Sequence, residues 1–148
     1  MTRPRAFRSQ EAGTLSTPPD GAEVLRYRAN LAEVRKFTAE RALGAGLSPD
    51  RANDLVIAVA ELAANTLVHT GGPGTLAIWV TDKEIICQVQ DQGQIIDPQP
   101  GMARHAAAAL GGGRGLWVVY QLCDQVEISS GQAGTTVRVR LMRSVESA

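Results

Sequence analysis

The sequence predicts an α+β domain in which helices pack on one face of a mixed, mostly antiparallel sheet. Three observations carry that expectation. Runs rich in β-branched and apolar residues come in two hairpin-like pairs, 75–81 with 84–91 and 125–129 with 135–142. Two capped helical stretches, 30–43 and 48–69, precede the first pair, and a third, 115–123, precedes the second. The resulting order is strand, two helices, hairpin, loop, helix, hairpin, with no internal repeat or heptad pattern.

Length and composition set the frame. With 148 residues and 44% hydrophobic content, the chain fits one domain with its own core. Fifteen basic and fifteen acidic residues cancel, so there is no overall charge of the kind that holds a protein to nucleic acid or anionic lipid. Cys87 and Cys123 sit in apolar runs without a CxxC partner and read as buried thiols, consistent with a reducing, cytoplasmic setting. No stretch approaches the roughly 18 apolar residues of a membrane span, and the start of the sequence lacks the apolar stretch of a secretory signal.

Residues 1–22 carry Pro4, Pro18 and Pro19 among polar residues with no apolar period, and read as a disordered tail. The domain is expected over 23–143, with 144–148 as a second tail. A short strand is expected at 24–27. Asn30 followed by Glu33 makes a capping-box-like start for a helix that Gly44 and Gly46 end. Ser48-Pro49-Asp50 opens the second helix with a capping hydroxyl, a first-position proline and an acid matched to the dipole. The Thr70-Gly71-Gly72-Pro73-Gly74 run stops it near His69. Asp82-Lys83 turns the first hairpin. Residues 105–110 read as a short helix or flap, broken by Gly111-Gly112-Gly113 before the third helix.

Chemistry-bearing residues interrupt these patterns. Glu61 and Asn65 are four apart in the second helix and so share one side, with His69 a turn further on. They stand among Leu55-Val56-Ile57-Ala58-Val59-Ala60 and Leu62-Ala63-Ala64. There they are either solvent-facing or part of a polar cavity that offsets their desolvation. A carboxylate and an amide oxygen at this spacing suit a hard cation, a phosphate and a proton acceptor. Asp91 continues the phase of Ile85, Cys87 and Val89, which makes it the polar end of an inward row, while Ile86, Gln88 and Gln90 face the other way. An inward carboxylate at a strand end can accept a hydrogen bond from a ligand amino group. Gly93 lets the chain pass close to a flat base, although Asp-x-Gly also occurs in plain turns. Gly113, Arg114, Gly115 and Leu116 place a glycine turn at a helix N-terminus, a ready-made anion site. Arg114 is either a phosphate partner or an ordinary exposed arginine. The turn is neither a Walker A loop nor a dinucleotide fingerprint. Thr135 is in phase with Val137, Val139 and Leu141 and should face the same interior as Asp91.

In this order and spacing, Glu61-Leu62-Ala63-Ala64-Asn65, Val89-Gln90-Asp91-Gln92-Gly93, Gly113-Arg114-Gly115-Leu116 and Gly134-Thr135 resemble the nucleotide-binding boxes of the GHKL superfamily of histidine-kinase-like ATPases. Within it, the single-domain size resembles the anti-sigma-factor serine kinases. The resemblance implies a Bergerat-type two-layer sandwich with ATP and Mg²⁺ as ligands. It gives Asn65 the Mg²⁺, Asp91 the adenine amino group with Gly93 beside the ring, Thr135 a water-mediated contact, and Gly113 and Gly115 the lid over the phosphates. Glu61 matches the acid that acts as base toward an accepting serine hydroxyl. The implied partners are a sigma factor and a STAS-type anti-anti-sigma protein, with a homodimer through the sheet, for which Ile86, Gln88 and Gln90 offer a face. Two departures stand out: Gln92 replaces a residue that is often acidic, and His105-Ala106-Ala107-Ala108-Ala109-Leu110 is unusually apolar for a lid. The alternatives are a non-catalytic ATP-binding docking module and a kinase-like activator of another regulator.

Overall fold

A computed structural model describes residues 15–70, 73–91, 114–131 and 134–143. Its elements run β1 (Glu23–Tyr27), α1 (Leu31–Gly44), α2 (Pro49–Thr70), β2 (Gly74–Val80), β3 (Glu84–Asp91), α3 (Arg114–Leu122), β4 (Gln125–Gly131) and β5 (Gly134–Met142). The expected flap at 105–110 lies outside the described residues, as do Gly93 and Gly113.

Local chemistry explains the helix boundaries. The Asn30 side chain accepts the amide hydrogen of Glu33 at 3.1 Å, capping α1. Beyond Gly44, Gly46 takes a positive φ of 92°, which a glycine adopts without steric cost. The Leu47 amide then returns to the Ala42 carbonyl at 3.1 Å. At the start of α2, the Ser48 hydroxyl accepts from the Arg51 amide at 3.1 Å, as the Ser-Pro-Asp sequence predicts.

The five strands form one sheet in the order β1-β2-β3-β5-β4, with every pairing antiparallel. The register sorts side chains into rows. On the helix-facing side, Leu25, Leu76, Val89, Val137 and Ile128 stand side by side across the strands. The neighbouring row contains Ile78, Cys87, Val139 and Val126. These rows pack beneath Val34 and Ala42 of α1, Leu55, Ala58, Val59, Leu62 and Ala63 of α2, and Leu116 and Val119 of α3. Each fully buried leucine or valine contributes on the order of 1.5–3 kcal/mol, and the continuous row pattern brings all three helices to one face.

The outer face is also largely covered. Of the row Ile86, Gln88 and Gln90 offered as a contact face, Ile86 and Gln88 are buried within the single chain and Gln90 is half-buried. Arg138 lies beside Gln88, donating from Nε to its side-chain oxygen at 2.8 Å, and also donates to the Ser16 carbonyl. Its guanidinium stacks 5.1 Å from the Trp79 ring centroid. Both cysteines are free and buried, as their apolar settings predict.

Candidate functional site

One end of the helix-facing side breaks the apolar pattern. The next row beyond Leu25, Leu76, Val89 and Val137 is Tyr27, Gly74 and Asp91, paired across β1, β2 and β3. Gln90 pairs with Thr136, so Asp91 stands beside Thr135 of β5. The alternation that buries Ile85, Cys87 and Val89 therefore carries a carboxylate to the margin of the core, where it is only 5% exposed.

A carboxylate at that depth needs hydrogen-bond donors. The Thr135 amide supplies one, donating to Asp91 Oδ1 at 3.2 Å. A carboxylate has about four acceptor positions, of which this bond takes one and fixes the orientation of Asp91. Thr135 is itself 4% exposed and stands on the same side, as the phase of β5 predicts.

Helix α2 walls the row. Thr66 is buried, bonds its hydroxyl back to the Leu62 carbonyl at 3.1 Å, and lies against Tyr27. Asn65 is therefore at the level of the polar row and Glu61 one turn behind it, both half-buried. The His69 side chain lies outside the described set.

Helix α3 approaches from the third side. Arg51, in the first turn of α2, donates to the carbonyl of Leu122 at 3.1 Å and pins the C-terminus of α3 there. The two helices pack against each other, and α3 runs back for about 13 Å with its first turn toward the Glu61–Asn65 end. Leu116 is buried and anchors that turn, while Arg114 and Gly115 are described only as helix backbone.

Sequence reasoning missed Tyr27. It is 2% exposed and lies over Gly74, where an added Cβ would collide with its hydroxyl and ring. Burial raises its pKa; the Thr66 hydroxyl works against that rise and the Asp91 charge adds to it. The signal available in the sequence was a tyrosine ending a strand whose other inward residue, Leu25, is apolar.

The donor set bears on which ligands fit. Among the described residues, no three His, Cys, Asp or Glu side chains gather to hold a metal. A single amide oxygen such as that of Asn65 suits Mg²⁺, which keeps waters and takes phosphate oxygens for the rest of its shell, and not a caged structural metal. A buried acceptor beside the apolar row of Leu76, Val89 and Val137 suits a flat base with an amino group.

The fold has counterparts. The family model for the histidine kinase-like ATPase domain matches residues 26–141. The chain belongs to this family. Its first matched residue adjoins Tyr27 and its last lies in β5, so the match takes in the polar row and all three helices. Among solved structures, the RsbU and RsbW domains of Rv1364c from Mycobacterium tuberculosis share the fold, with a TM-score of 0.59 and 19% identity. That match covers 80% of this chain and 32% of the other, so this chain spans about a third of its length. No curated protein matches the chain. As an ATPase-type domain, it has ATP as its ligand class. Among the described residues, no helix is long and apolar enough to cross a membrane.

Proposed function

We propose that this domain is an ATP-dependent protein serine kinase that sequesters a sigma factor and phosphorylates a STAS-type anti-anti-sigma partner. The observation that carries the nucleotide half is the buried Asp91 carboxylate, held by the Thr135 amide at the end of an apolar sheet face. Membership of the histidine kinase-like ATPase family supports the same half. The regulatory half draws on the likeness to a structure that contains an RsbW domain.

In this reading Asp91 accepts the hydrogen of the base amino group, with Gly93 beside the ring and Thr135 assisting through a water. Asn65 offers its amide oxygen to Mg²⁺, and the first turn of α3, with Gly113, Arg114, Gly115 and Leu116, faces the phosphates. Mg²⁺, when bound, neutralises charge on the phosphates. Glu61 takes the proton of the attacking serine hydroxyl while the γ-phosphoryl group passes to that oxygen and ADP leaves. The half-buried position of Glu61, one turn from Asn65, supports this division of roles.

Incubation with labelled ATP, Mg²⁺ and STAS-type proteins tests the proposal. Wild type should label one of them, while Glu61→Ala and Asn65→Ala should not. ATP binding without transfer to any STAS protein leaves the docking-module reading in its place. A homodimer through the outer face would require the segment around Ser16 to move off Arg138, and light scattering on the full chain reads it directly.

A further inference from the structure

The nucleotide reading leaves one group of the polar row unused, the Tyr27 hydroxyl. Tyr27 pairs with Gly74, and Gly74 pairs with Asp91. Neighbouring strands lie about 4.8 Å apart, so the two backbones stand roughly 10 Å from each other. That is about the reach of a phenol side chain plus one hydrogen bond to a carboxylate. The ring takes that path: it crosses Gly74 so closely that any Cβ there would strike its hydroxyl oxygen and ζ carbon. Gly74 is thus the gap through which Tyr27 extends toward Asp91.

The hydroxyl at the end of this path is buried, and among the described residues it makes no hydrogen bond of regular geometry. The nearby Thr66 hydroxyl gives its own hydrogen to the Leu62 carbonyl, and its oxygen, which can still accept, lies beside the phenol without a bond of regular geometry. No other described side-chain oxygen or nitrogen is buried without a partner. Leaving such a group unmet costs on the order of 1–3 kcal/mol, and here the cost falls beside the buried Asp91 carboxylate. The phenol stays a neutral donor there, since burial and the Asp91 charge both oppose its ionisation.

We propose that Tyr27 is a positioning residue of the base subsite: in the nucleotide-bound protein its hydroxyl donates to the Asp91 carboxylate and makes the site select adenine over hypoxanthine. Donation from Tyr27 and the Thr135 amide favours the ionised carboxylate, which can only accept. An amino group at the purine 6-position meets it with a hydrogen, whereas a 6-oxo group meets it with a lone pair and is rejected. This inference rests on Asp91 receiving the base.

Calorimetric titration of ATP and ITP into wild type and Tyr27→Phe, with thermal melts of the unliganded proteins, tests it. Tyr27→Phe should bind ATP about fivefold or more weakly, keep its weak affinity for ITP, and melt no lower than wild type, because it deletes an unmet buried hydroxyl. An unchanged ratio of ATP to ITP affinity overturns the proposal. A wild type that binds ATP no better than ITP overturns it as well, and leaves nucleotide binding standing. A wild type that binds neither overturns the functional reading together with it. Should Tyr27→Phe fold poorly, the half-buried Tyr120 is replaced instead, and Tyr120→Phe carrying ¹³C at the tyrosine ζ carbon then reports Tyr27 alone. ATP should shift that resonance more than ITP does, and equal responses overturn the proposal.

Discussion

The two ends of the sheet are built on opposite principles. At the end away from Asp91, arginines and a carboxylate tie the elements together. Arg51 bridges α2 to the Leu122 carbonyl and to Asp124 at 3.3 Å, and Asp124 accepts the Met142 amide at 2.8 Å. Arg143 reaches the carbonyls of Ala45 and Thr81 at 2.9 and 2.8 Å. At the Asp91 end the described polar groups lie deeper: Asp91, Thr135 and Thr66 are buried, and the Tyr27 hydroxyl makes no hydrogen bond of regular geometry. Charged groups bonded to carboxylates and carbonyls hold the first end; at the second, buried hydroxyls and a backbone amide stand beside a carboxylate.

Substitutions at the two ends should therefore fail differently. The largest effect is expected for Glu61→Ala, which should slow phosphotransfer on the order of 10²–10⁴-fold while leaving ATP affinity and melting temperature close to wild type. Single-turnover assays beside calorimetry check this, and transfer at the wild-type rate removes Glu61 from the base role. Asp91→Asn should come next, weakening ATP binding by about 10- to 100-fold. Its side-chain oxygen can still accept the Thr135 amide, so stability should move little. At the tied end the pattern reverses: Arg51→Ala should cost about 1–2 kcal/mol in urea unfolding, with ATP affinity unchanged. A loss of affinity in Arg51→Ala without a loss of stability would contradict the division between the ends.

The smallest effect is a pH dependence shared by the core and the site. Burial, reinforced by Cys123, raises the Cys87 thiol well above its ordinary pKa, and the Tyr27 phenol is raised as well. Both are neutral in the fold, so their contribution is intact below the unfolded values of about 8.5 and 10. As pH climbs past those values the unfolded chain releases protons that the folded chain keeps, and stability falls. Melts from pH 7 to 10 should show that decline, with a shallower slope in Cys87→Ala.

The inward phase of Asp91 was legible because three apolar residues at two-residue spacing precede it in one strand. Thr135 was legible for the same reason in β5, and the α1 and α2 starts because their caps lie within three residues of the groups they serve. Tyr27 was not, since its place depends on the pairing of β1 with β2 across two intervening helices. Arg51 stands in the first turn of α2 beside its local partner Asp54, and nothing in that setting points further. Its partners Leu122 and Asp124 lie 71 and 73 positions away, and no local pattern encodes them.

Arg138 gives the outer face a property of its own. Burial lowers its pKa, against an opposing pull from Glu127, and its hydrogen bonds go to Gln88 and to the carbonyl of Ser16. A molecule seating itself there competes with the chain's own segment for the same guanidinium hydrogens. Its apparent affinity is scaled down by the fraction of time that segment stands aside. Trimming or loosening the segment would then tighten binding at this face without altering a single contact made there.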